Sequence, residues 1–539
     1  MKRQTAISYR DVDIDGGFWG ERQRVNRDAT SVAVMERFRE TGRFAAFHME
    51  RGWAQGEKPH YFWDSDVAKW IEGVAYLLQK GPAPALEALA EETIGLIEQH
   101  QAADGYFNIY FTVVEPEKRW QDRDCHELYC AGHLIEAAVA YYEATGRDRF
   151  LRCMCRYADA IERVFMREHS ATFDTPGHEE IELALVRLWR CTGEARYLRL
   201  SQYFVDTRGQ VGGRDSCAAW AKPSYTQSHL PVREQRTAEG HAVRALYLYA
   251  AMADLAVEAD DPALWEACRA LFGSIAQRRM YITGGVGSSH HGEAFTLDYD
   301  LPNESAYGET CAALALALFA RRMAAAEPDA AYADAAERAI YNGFLSGVSL
   351  DGTAFFYENP LEVHPALRQK DASVKDNERY PQLQRQAVFG CSCCPPNVLR
   401  FIASLGDFLY SYDETTLFVH HYAQSTAQCS AWGRTVSIQQ ATEYPWQGNI
   451  QLELRGCAGK RIALRIPGWC SHYTLLAGDR EITPSIEKGY AYVDIADEHC
   501  RFALRLEMPV RLVRANPAVW ENIGRAAVTK GPLVYCLEG

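Results

Sequence analysis

Glu309-Thr310-Cys311 sets a carboxylate and a thiol two positions apart, a spacing at which a loop or helix start can aim both at one ion. Far along the chain, Cys391-Ser392-Cys393-Cys394-Pro395-Pro396 supplies further thiols, with two prolines to stiffen the backbone behind them. Zn2+ prefers thiolate, imidazole and carboxylate in tetrahedral array, so Glu309, Cys311, Cys393 and Cys394 form a candidate zinc site that only the fold could assemble. Adjacent cysteines rarely bridge each other, which favours metal binding or a reactive thiol over a disulfide. The plain alternative is a packed cysteine cluster in a reducing compartment.

Glu293 lies at the end of a glycine-rich run from Gly284 to Phe295. That run is not a phosphate cradle, because no Lys-Ser or Lys-Thr follows it. A carboxyl beside Phe295 can have its pKa raised, as a general acid requires. On spacing alone, an exposed glutamate on a surface loop is the better reading. Three Gly-His pairs, Gly132-His133, Gly177-His178 and Gly240-His241, each stand near the start of an expected helix. Polar residues gathered at helix starts would ring one mouth of a barrel; each histidine could equally cap or pack locally.

The elements that must position these residues are helical from about 30 to 412. Asp64-Ser65-Asp66 can cap a helix whose apolar side is Val67, Trp70, Ile71 and Val74, with Gly81-Pro82 at its end. Residues 83–101 repeat the design, and further helices are expected over 241–258, 262–279, 309–325, 330–345 and 397–412. An echo appears between Tyr141-Tyr142-Glu143-Ala144-Thr145-Gly146 and Leu188-Trp189-Arg190-Cys191-Thr192-Gly193, a helical hairpin apart. Stacked αα-hairpins build either an open solenoid or a closed (α/α)6 barrel, and the Gly-His pairs favour the barrel. After Asp413 the period becomes alternating: Ile450, Leu452 and Leu454, then Ile462, Leu464 and Ile466, then Phe502, Leu504 and Leu506. This reads as a β-sandwich. Three units are expected: 1–412 helical, its first residues available to pair with the β region, 413–515 sandwich, and 516–539 the start of a further β segment. Its strand near Val534 has little left to pair with, which suggests truncation.

At 539 residues with 47% hydrophobic and 24% charged side chains, the composition is that of a multidomain globular protein. A net charge of −14 argues against nucleic acid or anionic membrane as partner. The amino terminus lacks a signal-like apolar run and no segment is apolar enough to span a bilayer, so a cytoplasmic location is expected. In that compartment most of the 16 cysteines should be free.

Several long segments resemble the β-L-arabinofuranosidases of glycoside hydrolase family 127. They are the run from Gly284 to Phe295, Tyr299-Asp300-Leu301-Pro302-Asn303, Tyr307-Gly308-Glu309-Thr310-Cys311-Ala312 and Cys391-Ser392-Cys393-Cys394-Pro395-Pro396-Asn397. His126-Glu127-Leu128-Tyr129-Cys130-Ala131-Gly132-His133 and Gly177-His178-Glu179-Glu180-Ile181-Glu182 extend the likeness to nearly the whole chain. The resemblance implies an (α/α)6 barrel followed by β-sandwich domains, and zinc on Glu309, Cys311, Cys393 and Cys394. It further implies Cys393 as nucleophile, Glu293 as acid/base, and His126, His178, His241 and Tyr357 as contacts to the sugar, with His133 the alternative to His126. The expected activity is retaining release of non-reducing-end β-L-arabinofuranose, the partner being a small carbohydrate; a homodimer is kept as an option. Four anionic ligands around Zn2+ leave excess negative charge, so one sulfur is expected to be protonated at rest or to loosen from the metal as it attacks. Rival readings are a family glycosidase for another furanosidic or unusual plant sugar, and a non-catalytic carbohydrate-binding protein with structural zinc. Hydrolysis by metal-bound water is disfavoured, because four protein ligands leave no open position.

Overall fold

The computed structural model of the chain describes residues 4–50, 58–215, 220–364 and 382–537. Helices Trp63–Lys80, Glu127–Thr145, Ile181–Thr192, Ala242–Glu258, Thr310–Ala326 and Cys394–Ala403 pack each against the next, and the last returns to the first. Among the described residues these six form a closed inner ring. Ser31–Glu40, Pro84–His100, Arg149–Glu162, Ala195–Thr207, Pro262–Ser274 and Ala330–Arg338 wrap it from outside. The helical region is therefore an (α/α)6 barrel and not an open solenoid. The sequence echo is a repeated helix ending: Gly146 and Gly193 both take left-handed φ (72° and 74°). Thr145 and Thr192 each donate to the carbonyl four residues back, at 2.7 and 2.9 Å.

The inner helices are buried on every side. In Trp63–Lys80 burial is unbroken from Asp64 to Leu77, so Asp64, Ser65 and Asp66 lie inside the helix and do not precede it as a cap. Asp64 instead accepts from the Ile109 amide at 3.0 Å, and Asp66 from Arg43 Nε at 2.8 Å. The polar stripe of these helices faces the barrel axis. There Arg400 Nη1 donates to Glu72 (2.8 Å) and Glu136 (2.9 Å), Nη2 to the Tyr247 hydroxyl (3.2 Å) and Nε to Asn397 Oδ1 (2.7 Å). Arg187 adds a contact to Glu72 at 2.9 Å, so five of the inner helices meet in one charged network.

Burial works to raise the Glu72 pKa, but the charges of Arg400 and Arg187 outweigh it and hold the carboxyl below its ordinary value. Arg400→Met leaves Glu72 and Glu136 to share the more distant cation of Arg187, and should cost about 3–5 kcal/mol in urea unfolding at neutral pH. Because Glu72 titrates lower when folded, its contribution is present above the ordinary carboxylate pKa and is lost as pH falls through the folded value. The deficit of the variant should therefore shrink on acidification. A neutral-pH loss below about 1 kcal/mol would show that the network does not hold the ring together.

The last inner helix runs Cys394–Ala403 where 397–412 was expected, and Tyr410–Tyr412 is already a strand. Pro395 and Pro396 sit in the first turn, whose amides have no helical acceptor, so they do not delay the start. Two sheets follow. One runs Thr5–Ala6, Tyr410–Tyr412, Thr416–Val419, Lys460–Arg465, Tyr490–Ile495, Ser485–Glu487. The other runs Arg480–Glu481, Tyr473–Ala477, His499–Leu506, Asn449–Arg455, Arg434–Thr442, Ser425–Ala431, Val12–Asp13. The alternating residues face inward in register, Ile450 opposite Leu504 and Leu452 opposite Phe502, all buried. Arg465, fully buried, leaves the sheet to meet Asp334 (2.5 Å) and Glu337 of the outer helix Ala330–Arg338.

The strand expected to lack a partner has one. Leu533–Tyr535 pairs with Ala527–Lys530, which pairs with Val510–Val513. Asn342 clamps that sheet to the barrel by donating to the Pro532 carbonyl (2.9 Å) and accepting from the Val534 amide (2.8 Å). Among the described residues no helix is long and apolar enough to cross a membrane.

Candidate active site

The residues that precede the inner helices meet at one end of the barrel. Tyr61 and His126 have ring centroids 5.4 Å apart, His126 and His178 5.6 Å, His178 and His241 5.5 Å. His241 Nε2 lies 3.1 Å from Glu293, and the ligand atoms of His241, Glu293 and Glu309 fall within 4.8 Å of one another. Glu309 in turn lies 3.5 Å from Cys393 Sγ. His126, His241, Glu309 and Cys393 are themselves the residues immediately before helices Glu127–Thr145, Ala242–Glu258, Thr310–Ala326 and Cys394–Ala403. Helix starts present unpaired amides and the positive end of the helix dipole, so this mouth favours anions.

The histidine next to Glu293 has its tautomer set by the helix it begins. His241 Nδ1 accepts from the amides of Val243 (3.2 Å) and Arg244 (3.5 Å), which leaves the proton of neutral imidazole on Nε2, facing Glu293. Burial pushes the His241 pKa down, in keeping with a neutral donor. Burial alone would raise Glu293, but His241, then the Tyr307 hydrogen bond and the charge of Arg244, outweigh it and hold the carboxyl below its ordinary value. This reverses the expectation of a raised pKa from Phe295: the donors aimed at Glu293 count for more than an apolar neighbour. Glu293 is half-buried, not an exposed loop residue, and it takes a left-handed backbone with φ 53°, as does His126 with φ 62°. Non-glycine residues held there carry strain that concentrates at functional sites.

The sulfurs form one cluster. Cys311 Sγ lies 3.3 Å from Cys394 and 3.4 Å from Cys393, and Cys393 lies 3.8 Å from Cys394. These separations exceed a disulfide bond, and all cysteines among the described residues are free. Asn397 Nδ2 donates to Cys311 at 3.2 Å, its amide oriented because Arg400 occupies its oxygen. Burial raises the Cys311 pKa, yet donors from Cys393, Cys394 and Asn397 bring it down to about 7. Burial and the neighbouring Cys393 push Glu309 well up, and burial with Cys311 does the same to Cys394. Protons resist leaving because several anions would share one dry pocket, and a cation would relieve that repulsion. The buried Glu309 Oε2 has no hydrogen-bond partner among the described residues. Glu309, Cys311, Cys393 and Cys394 all place a ligand atom within 4.8 Å of one another, and so could hold a metal ion. A second group, His133, Glu136 and Glu180, is equally tight, but Glu136 already carries its own cation in Arg400.

Family profiles match across this frame. The beta-L-arabinofuranosidase GH127 catalytic domain covers residues 11–407, the GH127 middle domain 416–508 and the family 127 C-terminal domain 510–539. The chain belongs to glycoside hydrolase family 127. A non-reducing end beta-L-arabinofuranosidase of Bifidobacterium longum subsp. longum is 38% identical over 506 residues, 88% of this chain and 75% of its own length. A GH127 beta-L-arabinofuranosidase from Geobacillus stearothermophilus T6 superposes with a TM-score of 0.92 at 44% identity, covering 98% of this chain and 86% of that one. Another GH127 beta-arabinofuranosidase gives 0.88 at 33%, with 98% and 85% covered.

In this family 127 chain, Glu293, Glu309, Cys311, Cys393, Cys394, His126, His178, His241 and Tyr357 all come to one mouth, the Tyr357 hydroxyl lying 3.4 Å from Cys393 Sγ. His133 does not join them. It falls in the second turn of Glu127–Thr145, fully buried, with Nδ1 3.1 Å from Glu180. Gly132 serves packing: a Cβ there would meet the Ile181 amide nitrogen at 2.9 Å. Sequence reading passed over Asn397, Tyr307 and Arg244. The first two stand inside the long family-like segments, and Arg244 one helical turn after His241.

Proposed function

We propose that this chain is a retaining glycosidase that releases non-reducing-end β-L-arabinofuranose, with Cys393 as nucleophile and Glu293 as acid/base. The observation that carries it is a thiol at a helix start, 3.5 Å from Glu309, with the Glu293 carboxyl within 4.8 Å of that same Glu309 and 3.1 Å from His241 Nε2. The sugar would sit against His126, His178, His241 and Tyr357, and exclude water from the pair. The Cys393 sulfur then forms a bond to the anomeric carbon as the bond to the leaving oxygen breaks, and that oxygen takes the proton of Glu293. Water next attacks the same carbon, gives its proton to Glu293, and the carbon–sulfur bond breaks to return the thiolate; two inversions leave the configuration retained.

Glu293 must hold a proton to begin, yet it is held low without substrate. Bound sugar hydroxyls would compete for His241 and Tyr307 and release it. Zinc is the proposed ion for Glu309, Cys311, Cys393 and Cys394, since three sulfurs and a carboxylate are its usual donors; it would supply the positive charge that keeps sulfur ionised near neutral pH. The test is p-nitrophenyl β-L-arabinofuranoside followed by proton NMR, with elemental analysis of the purified chain. Release of the β-anomer first, with zinc at one ion per chain, is the expected result. Release of the α-anomer, or no hydrolysis by the zinc-loaded chain, would reject the proposal.

A further inference from the structure

A glycosidase acid must touch the oxygen it protonates, so the group attached through that oxygen emerges on the acid's side of the site. On that side the chain carries an aromatic step that the catalytic scheme leaves unused. Trp220 is 56% exposed. Its ring meets Tyr225 edge-to-face at 4.7 Å and His291 at 5.8 Å, and Tyr225 in turn meets His241 at 5.9 Å. Arg244 stands over the Tyr225 ring at 4.4 Å and backs it from within. Gly292, which precedes Glu293, lies against both rings: a Cβ there would be 3.4 Å from Tyr225 and 3.8 Å from Trp220. With φ at +69° as well, that position is suited to glycine, and the glycine lets the acid-bearing loop lie directly on the aromatic pair.

The indole is held between the rings of Tyr225 and His291 while more than half of it stays open to solvent. Exposed His291, its ring 5.8 Å from the indole, rims it with hydrogen-bonding nitrogens. An apolar face with a polar rim matches a sugar ring, whose C–H face packs on aromatics and whose hydroxyls point outward. We infer that Trp220, seated on Tyr225 and Gly292, is the platform for the first sugar of the leaving group. Trp220 thereby makes the enzyme select glycosides whose aglycone is itself a sugar over those with a minimal one. This rests on the proposed glycosidase reading, since without Glu293 as acid the direction of the leaving group is undefined.

The test compares the full chain, Trp220→Ala and Trp220→Phe on methyl β-L-arabinofuranoside and on a β-L-arabinofuranosyl disaccharide. In Trp220→Ala the ratio of kcat/KM on the disaccharide to that on the methyl glycoside should fall about tenfold, chiefly through KM on the disaccharide, and Trp220→Phe should restore most of it. An unchanged ratio, a loss carried by kcat on both substrates, or a wild type that accepts only the methyl glycoside would overturn the platform. A wild type inactive on both glycosides would instead remove the functional reading beneath it.

Discussion

Cys393→Ala should lose at least about 10⁴-fold in kcat on p-nitrophenyl β-L-arabinofuranoside, because the covalent step has no other nucleophile. Cys393→Ser should be nearly as poor. A serine hydroxyl there faces Tyr357, whose pKa is pushed well up by burial and by negative neighbours, which makes it a proton donor and not a base. Losing a metal ligand could also silence the enzyme, so Cys394→Ser is the control. It removes a ligand while leaving the proposed attacking sulfur, and added zinc should restore part of its activity but none of that of Cys393→Ala. A cyclophellitol-type inhibitor of matching sugar configuration should add one label to the protein, on the peptide carrying Cys393. A label on a carboxylate, or more than a hundredth of wild-type turnover in Cys393→Ala, would require another nucleophile.

Glu293→Ala should cost about 10²–10⁴-fold with a sugar aglycone, the span of general acid catalysis, and less with p-nitrophenolate, which leaves without a proton. The second step separates acid/base from structural roles. With Glu293 gone, water attacks the thioglycosyl enzyme unaided, and azide, which needs no base, should restore turnover of the aryl glycoside and yield the β-glycosyl azide. An α-azide, or no azide product at all, would mean that Glu293 does not act in both steps. In the wild type, kcat/KM for an aryl glycoside should carry no limb from Glu293, because it reports the first step and p-nitrophenolate leaves that step without a proton. For a poor leaving group the proton is needed, and Glu293 in the free enzyme is held below its ordinary value. That rate should therefore rise as pH falls until the fold gives way.

The local pieces of this site were legible because they depend on neighbours in sequence. Glu309-Thr310-Cys311 and Cys393-Cys394 announce a soft-metal or thiol chemistry by residue type alone, and the Thr-Gly endings at 145–146 and 192–193 mark repeated helix caps. Alternation at Ile450, Leu452 and Leu454 sufficed for the sandwich, since a strand's faces follow from a period of two. What the sequence could not decide is where a polar helix face points. Asp66, Lys69 and Glu72 would face water on an ordinary amphipathic helix; the closed ring turns them to its axis, where they are buried among Arg43, Tyr129 and Arg400. The same closure decided between His126 and His133. Seven residues apart on two helical turns, they share a face, but only the one at the helix start reaches the mouth. The protonation of Glu293 likewise belongs to the tertiary structure, because His241 and Arg244 reach it from the start of one helix and Tyr307 from a separate segment. Sequence determined which groups could do chemistry, and ring closure determined which of them meet, since a circle of parallel helix starts brings Cys393, Glu309 and Glu293 to one mouth.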